Sequence, residues 1–261
     1  MSIPLKIISS QYLEKYAESC QLNWSEVEGM LHAKDVFSVD DFEYYIVASS
    51  LFSSKIEGNT LDFNSFYRNR NKKGVPKRKE VSEIENLVTT YRFASLKKLN
   101  KINFLDAHKI LSATLLPLKE RGKFRTVQVG VRDSATGRPV YLAVEPEFVN
   151  VEMSKLFSDI TVLMKSKLSI TEVFYYASMI HLWTAKIHPF GDGNGRSARL
   201  LEKWFLVAKL GGAAWSINSE KFYWDNRLDY YQNVALGFNY YALKWERCMP
   251  FLLMLTKASQ S

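Results

Sequence analysis

A chain of 261 residues with 47% hydrophobic content can bury one substantial core, or one core with an appended subdomain; 12 Gly and 7 Pro are too few for a loop-rich all-β protein. Two distant cysteines, Cys20 and Cys248, supply no disulfide framework, the first residues lack a signal-like apolar stretch, and no apolar run approaches membrane-spanning length, so the expectation is a soluble, cytoplasmic, mostly α protein. The net charge of +8 would suit a nucleic-acid binder, but Arg68, Arg70, Lys72, Lys73, Lys77, Arg78 and Lys79 hold seven of the eight excess charges, making one basic loop rather than a basic face, either a solvated connector or a contact for an acidic partner or nucleic acid.

Within residues 8–34, Tyr12, Tyr16, Cys20 and Trp24 recur every four residues, a helical packing stripe. Ser38 or Asp40 can cap a helix over about residues 38–58 that carries Phe42, Tyr45, Ile46, Ala48, Leu51 and Phe52, and Gly58 with Asn59 tolerates its left-handed stop. Glu57 then lies at the negative end of a helix dipole, where a carboxylate is disfavoured unless a cation from elsewhere relieves it; a solvent-facing side chain is the other reading. Lys79 to Ala94 sets Val81, Ile84, Leu87, Val88 and Tyr91 on one helical face, and Leu105 to Leu116 reads as a further helix. His108 in that helix has no metal-spaced His or Cys beside it, which favours a packing or capping role.

Phe124 to Val144 changes period. Alternating side chains, the turn-rich Asp133-Ser134-Ala135-Thr136-Gly137, and Pro139-Val140-Tyr141-Leu142 make the pattern of a lone β-hairpin. Such a hairpin must pack on the helices, and an unpaired edge can recruit an extended segment of another protein.

Residues 148–165 and 171–187 are core helices, the second spacing Val173, Ala177, Ile180, Trp183 and Ile187. His181 stands seven residues before His188, not at HExxH spacing, and reads as structural. Pro189 disfavours a helical His188 and ends that helix. The chain turns at Gly191-Asp192-Gly193 and restarts as a helix near Asn194 or Gly195, with Leu200, Leu201, Trp204, Phe205, Ala208 and Leu210 as apolar surface. Arg196 and Arg199 share a face of its first turn, at the positive end of the dipole, which is unfavourable unless an anion lies between them and the free amides. The N–H groups of Gly193 to Gly195 can form a phosphate nest, Asp192 adds a hard oxygen suited to Mg2+, and His188 a side chain suited to general-base work. Gly193-x-Gly195-x-x-Ala198 meets the loose dinucleotide spacing, but a helix precedes it, and no Lys follows the last glycine as a P-loop requires. Asn226 to Tyr231 opens a last helical region that ends in the apolar Met249 to Leu255.

The stretch His188 to Arg199, H-P-F-G-D-G-N-G-R-S-A-R, resembles the Fic-family signature H-x-F-x-[D/E]-G-N-G-R-x-x-R at every specified position. The resemblance implies an all-α, Fic-type helical domain with a small β-hairpin flap, and a protein adenylyltransferase that moves AMP from ATP, with Mg2+, onto a Ser, Thr or Tyr hydroxyl. It implies His188 as base, Phe190 as loop anchor, Asp192 as metal ligand, Asn194 with Gly193 and Gly195 as anion hole, Arg196 for the α/β-phosphates and Arg199 for the γ-phosphate. The intact glycine-rich part favours AMP transfer over the phosphate transfer of the related Doc kinases.

S-S-K-I-E-G, residues 53–58, matches the inhibitory motif [S/T]-x-x-x-E-[G/N] of Fic proteins through Ser53, Glu57 and Gly58, as in the class whose inhibitory helix is N-terminal in the same chain. Glu57 would then pair with Arg199 and bar the γ-phosphate. The hairpin would be the flap that aligns a protein substrate, and whether the chain also modifies itself is left open. Tyr230 and Tyr231 fall where relatives place groups near the adenine, with core packing the other reading. The resemblance divides the chain into an N-terminal helical region, 1–100, with the inhibitory helix at about 38–58, and a catalytic core, 101–261, with the flap at about 124–144 and closing helices. Neither a membrane segment nor a DNA-binding module is expected, and the oligomeric state is left open. Removal of AMP with Glu57 positioning a water, use of another nucleotide, and non-catalytic ATP sensing stand as alternatives.

Overall fold

A computed structural model describes residues 3–20, 23–33, 38–70, 78–132 and 136–260. Its N-terminal helices are α1 (Leu13–Ser19), α2 (Trp24–Ala33), α3 (Val39–Ile56), α4 (Phe63–Arg70), α5 (Lys79–Leu96) and α6 (Lys101–Leu111). Strands β1 (Gly130–Arg132) and β2 (Pro139–Leu142) follow, then α7 (Pro146–Lys165), α8 (Ile170–Ile187), α9 (Asn194–Leu210), α10 (Ser219–Asp225), α11 (Arg227–Val234) and α12 (Met249–Ala258). The fold is all-α with one small antiparallel hairpin. Local chemistry sets several starts. The Ser38 hydroxyl accepts the Asp41 N–H at 3.1 Å, Asn100 caps Asn103 at 2.9 Å, and Ser169 with Glu172 forms a capping box at the head of α8.

Two expectations, the extent of α6 and the basic loop, are corrected, and two others gain detail. The stripe over residues 8–34 is two helices, because Cys20 leaves α1 in an extended conformation with its N–H closed onto Tyr16 O at 2.9 Å. Helix α6 stops at Leu111 rather than 116 and passes into a single 3-10 turn over Ser112–Thr114, where the Ser112 hydroxyl bonds His108 O. The basic segment opens as a helix, α4, in which Arg70 lies over the Phe66 ring and 3.7 Å from Glu85; Lys72, Lys73 and Lys77 lie outside the described residues. The last helical region is broken into α11, two 3-10 turns and α12.

The hairpin is shorter than residues 124–144. Gly130 pairs with Leu142, Val131 with Tyr141 and Arg132 with Pro139, while its expected turn residues Asp133, Ser134 and Ala135 lie outside the described residues. Before β1 the chain turns inward to pack Arg125, and the Gln128 side chain reaches Ala143 O at 2.7 Å. Beyond β2, the Leu142 N–H donates to Phe238 O at 2.7 Å, and Leu142 bridges Asn239 in parallel, so a distant segment covers that edge.

Helix α9 lies between two hydrophobic clusters. Leu201, Phe205 and Leu206 join one that holds α7, α8 and α12 with Tyr16 and Trp24; Leu200 and Trp204 join another built on α3 and α5. Each cluster draws residues from both sides of residue 100, and each fully buried Leu, Ile or Phe contributes roughly 1.5–3 kcal/mol. Two buried carboxylates join the parts. Asp159 accepts the backbone N–H groups of Lys6, Ile7 and Ile8 at 2.6, 2.8 and 2.9 Å, holding the N-terminal segment against α7. Glu220 accepts Ser49 at 3.1 Å and Tyr91 at 2.8 Å and pairs with Lys203 at 3.1 Å, tying α3, α5 and α9 to α10.

Candidate active site

The site begins where α8 ends. His188 takes φ 52° and ψ 60°, and its N–H closes onto Thr184 O at 3.0 Å. Pro189 disfavours a right-handed helix at this position, as the sequence predicts, but the residue turns left-handed; it is the one non-glycine with positive φ among the described residues. Arg125 accounts for the position of this corner. Only 6% exposed and without a carboxylate partner among the described residues, its guanidinium donates to His188 O at 2.8 Å, Ile187 O at 3.5 Å, Val127 O at 3.0 Å and Val144 O, while its N–H donates to Pro189 O at 3.0 Å. A cation at the negative end of α8 is electrostatically favourable, and this one also ties the base of the hairpin to the His188 turn. Sequence reasoning assigned Arg125 no function. Its signal was a lone charge among alternating Val127, Val129 and Val131.

His188 is half-buried, with Nδ1 3.3 Å from Ala185 O. A carbonyl only accepts, so the proton sits on Nδ1 and the Nε2 lone pair is left for substrate. Burial lowers the pKa to about 4, against the Ala185 carbonyl, and the Arg125 and Lys186 charges add to the lowering; the ring is neutral near pH 7.

The loop that follows is pinned from below. Phe190 is fully buried and stacks on His108 with ring centroids 3.5 Å apart. His108 Nδ1 accepts the Gly122 N–H at 3.0 Å, which fixes its proton on Nε2, where it donates to Asp192 O at 3.0 Å. Burial lowers the His108 pKa to about 4 as well. His108 is therefore a packing residue that holds the Asp192 turn. Asn194 clasps Phe190 from the other side: Oδ1 accepts its N–H and Nδ2 donates to its carbonyl, both at 2.8 Å. With that side chain engaged, anion contacts fall to the backbone amides of the first turn of α9, which have no carbonyl partner within the helix. Gly193, not Asn194 or Gly195, is the cap residue, with φ 78°; a Cβ there would approach Leu111 Cδ1 to 2.9 Å. Asp192 stands at the rim with its side chain 51% exposed, Oδ1 accepting the Gly193 N–H at 2.5 Å and 3.6 Å from Arg196.

Across this helix mouth lies the end of α3. Arg199, 1% exposed, donates Nε to the Ser53 hydroxyl at 3.0 Å, Nη2 to Ser53 O at 3.0 Å and to Glu57 Oε1 at 2.7 Å, and Nη1 to the Tyr230 hydroxyl at 3.1 Å. Ser53 and Glu57 are four apart and so share the face that meets Arg199, and Gly58, at φ 99°, turns the chain away after it. The Glu57 carboxylate lies in the space a side chain at Gly195 would fill: a Cβ there would collide with Glu57 Oε1. Burial alone would raise the Glu57 pKa, but Arg199 and Arg196 outweigh it and hold the carboxyl below the usual glutamate range. Arg196 is 6% exposed; among the described residues its Nε has no partner, and its ion-pair neighbours are Asp192 at 3.6 Å and Glu83 at 3.9 Å. Tyr230 is buried with its hydroxyl on Arg199, and Tyr231 donates to Ile56 O at 2.9 Å, so both tyrosine hydroxyls engage the Arg199–α3 contact.

Chemically, this is a helix mouth with amides and guanidinium groups able to hold an anion, beside a neutral histidine with a free lone pair, within a helical domain. Residues 98–206 match the family model described as Fic/DOC family. Among curated proteins, the chain is 26% identical over 212 residues to the protein adenylyltransferase Fic of Nematostella vectensis, covering 78% of this chain and 46% of that one. To the Aedes aegypti protein of the same name it is 28% identical over 165 residues, covering 58% and 30%. To protein adenylyltransferase fic-1 of Caenorhabditis elegans it is 30% identical over 131 residues, covering 47% and 23%. The chain thus spans less than half the length of these relatives. Among solved structures, a Fic family protein from Desulfovibrio desulfuricans G20 superposes with a TM-score of 0.75 at 20% identity, covering 98% of this chain and 74% of that one. A Fic domain containing signaling protein from Bacteroides thetaiotaomicron VPI-5482 gives 0.68 at 18%, covering 92% and 94%. These two likenesses bear on the fold. The chain is thus similar to Fic proteins over residues 98–206 and in its fold.

No helix among the described residues is long and apolar enough to cross a membrane.

Proposed function

We propose that this chain is a protein adenylyltransferase that moves AMP from ATP onto a hydroxyl of a protein, and that Glu57 restrains it. The observation that carries this reading is the seat of the Glu57 carboxylate. An anion from the chain itself lies at the mouth of α9, on Arg199 and over Gly195, in space shaped for an oxyanion. A triphosphate entering that mouth would bring its own oxygens to the same donors and compete directly with Glu57. The relatives named protein adenylyltransferase support ATP as the donor.

In this mechanism the first-turn amides of α9 and Arg196 hold the α- and β-phosphates, and Arg199 takes the γ-phosphate once Glu57 withdraws. His188 Nε2 accepts the target hydroxyl's proton as the oxygen bonds to the α-phosphorus and pyrophosphate departs. Before a nucleotide binds, a pKa of about 4 makes His188 a weak base. The negative charge of a bound triphosphate raises it toward the working range.

A magnesium ion fits the residues at the rim. Asp192 presents a hard, half-exposed carboxylate beside the mouth of α9, an oxygen donor of the kind that suits a magnesium ion. Such an ion would neutralise phosphate charge. For the target, Phe238 and Asn239 cover β2 at Leu142, so β1 is the edge along which an extended segment of the protein substrate would lie.

ATP labelled at the α-phosphate, incubated with Mg2+, the protein and a cell lysate, tests the reading. Glu57→Gly should label protein strongly, the unsubstituted chain weakly and His188→Ala not at all. No labelling in any of the three despite ATP binding would overturn it and favour AMP removal or nucleotide sensing.

A further inference from the structure

Arg199 is 1% exposed, and Glu57 is its one direct carboxylate partner among the described residues. A buried guanidinium left without counter-charge is costly, so a site that must release Glu57 needs a second anion. The residues behind Arg199 supply one. The Tyr230 hydroxyl, 3.1 Å from Arg199 Nη1, also lies 3.0 Å from His181 Nε2, and His181 Nδ1 lies 2.8 Å from Glu202 Oε2. The Glu202 carboxylate only accepts, so His181 Nδ1 donates to it. With the ring neutral, Nε2 accepts the Tyr230 hydroxyl's hydrogen, and the Tyr230 oxygen in turn accepts from Arg199, which only donates.

Glu202 and His181 are fully buried, and Glu202 has no lysine or arginine partner among the described residues. Although Glu202 stands three residues after Arg199 on α9, the two make no direct pair. A buried carboxylate at one end of an oriented chain and a buried cation at the other account for each other. We infer that Glu202 is a standing counter-ion of Arg199, coupled through His181 and Tyr230, that keeps the guanidinium paired and aimed when Glu57 leaves. Tyr230, His181 and Glu202 are thus positioning residues, which rests on the reading that Arg199 takes the distal phosphate. Tyr230 then serves Arg199 rather than the adenine.

The test uses the full chain carrying Glu57→Gly, with Tyr230→Phe or Glu202→Gln added. Phenylalanine keeps the ring among its aromatic neighbours, and glutamine keeps an acceptor oxygen while removing only the charge. Side-chain nitrogen NMR of the Arg199 guanidinium is the direct readout. With Glu57→Gly alone its rotation stays restricted; each added substitution should speed it, about tenfold for Tyr230→Phe and less for Glu202→Gln. Unchanged rotation in both overturns the inference. Nucleotide affinity is the second readout: each should weaken ATP by about three- to tenfold and leave AMP, which lacks distal phosphates, within about twofold. Arg199→Ala in the same background separates the two ideas. If it weakens ATP and AMP alike, the distal-phosphate reading fails and the NMR result alone judges the relay. If Arg199→Ala is selective for ATP while Tyr230→Phe and Glu202→Gln are not, the relay does not aim Arg199 and the inference is overturned.

Discussion

Replacing His108 removes a titration that the fold makes unfavourable. In the folded chain burial holds its pKa at about 4, against an ordinary histidine value of 6.5. Protonation therefore favours the unfolded chain: the penalty is absent above pH 6.5, grows as pH falls below it and is complete below about pH 4. Linkage sets its size at about 2 kcal/mol at pH 5, and about 3 kcal/mol in full. His108→Phe keeps a ring against Phe190 but orphans the Gly122 N–H and the Asp192 carbonyl, costing about 1–3 kcal/mol each near neutrality. His108→Gln, which can still donate to Asp192 O but cannot titrate, provides a second variant. Urea unfolding at about pH 7.5 and at about pH 5 is the assay. Both variants start less stable than the natural chain, yet each should lose about 2 kcal/mol less between the two pH values. His188 titrates identically in all three proteins and drops out of the difference. Equal losses in variant and natural chain would refute the argument that His108 is held neutral beneath the loop.

Other outcomes follow from single contacts. Gly195→Ala should destabilise the natural chain, because the added methyl meets the Glu57 carboxylate, but be neutral or stabilising after Glu57→Gly; a double-mutant cycle in urea should give a coupling of about 1–3 kcal/mol. Asp159→Ala orphans three backbone N–H groups and should lower stability by about 3 kcal/mol or more, with early amide exchange confined to residues 6–8 as its local signature. Arg125→Met leaves four carbonyls short of a donor and frees the His188 turn, so AMP labelling in the Glu57→Gly background should fall by at least about tenfold while ATP affinity changes less.

The parts of this site that were legible in the sequence are those whose chemistry is local. Arg196 in the first turn of α9 and Arg199 in the next lie near the positive end of its dipole, and Glu57 at the end of α3 is misplaced in the opposite sense; both are readable from caps and spacing, and the fold joins Arg199 and Glu57 at 2.7 Å. Helix α3 itself follows from the Ser38 cap and the Gly58 stop. The hidden parts depend on contacts between distant stretches. Arg125 reaches His188 from 63 residues away and His108 reaches Asp192 from 84, and neither leaves a periodic trace in its own segment. Asn194 sits within the motif, yet its sequence position does not reveal that its side chain grips Phe190 rather than facing the anion. The cover on β2 comes from Phe238 and Asn239, outside any hairpin pattern.

These contacts also bear on how Glu57 could withdraw. Helix α3 buries Ile46, Val47, Leu51 and Ile56 and is tied to Glu220 through Ser49, so lifting it away would expose four large side chains at roughly 1.5–3 kcal/mol each. That sum is comparable with the whole stability of a domain. Glu57 differs from the helix that carries it: it is the residue after the last turn, its side chain is 30% exposed, and a glycine at φ 99° follows. Rotating that side chain breaks one partly exposed ion pair with Arg199 and leaves the guanidinium on Ser53 and Tyr230. The cost is then a few kcal/mol at most, within reach of a triphosphate's contacts with the same donors. Withdrawal by rotation at the helix end is therefore favoured over displacement of α3, and an effector need only act on residues next to Glu57.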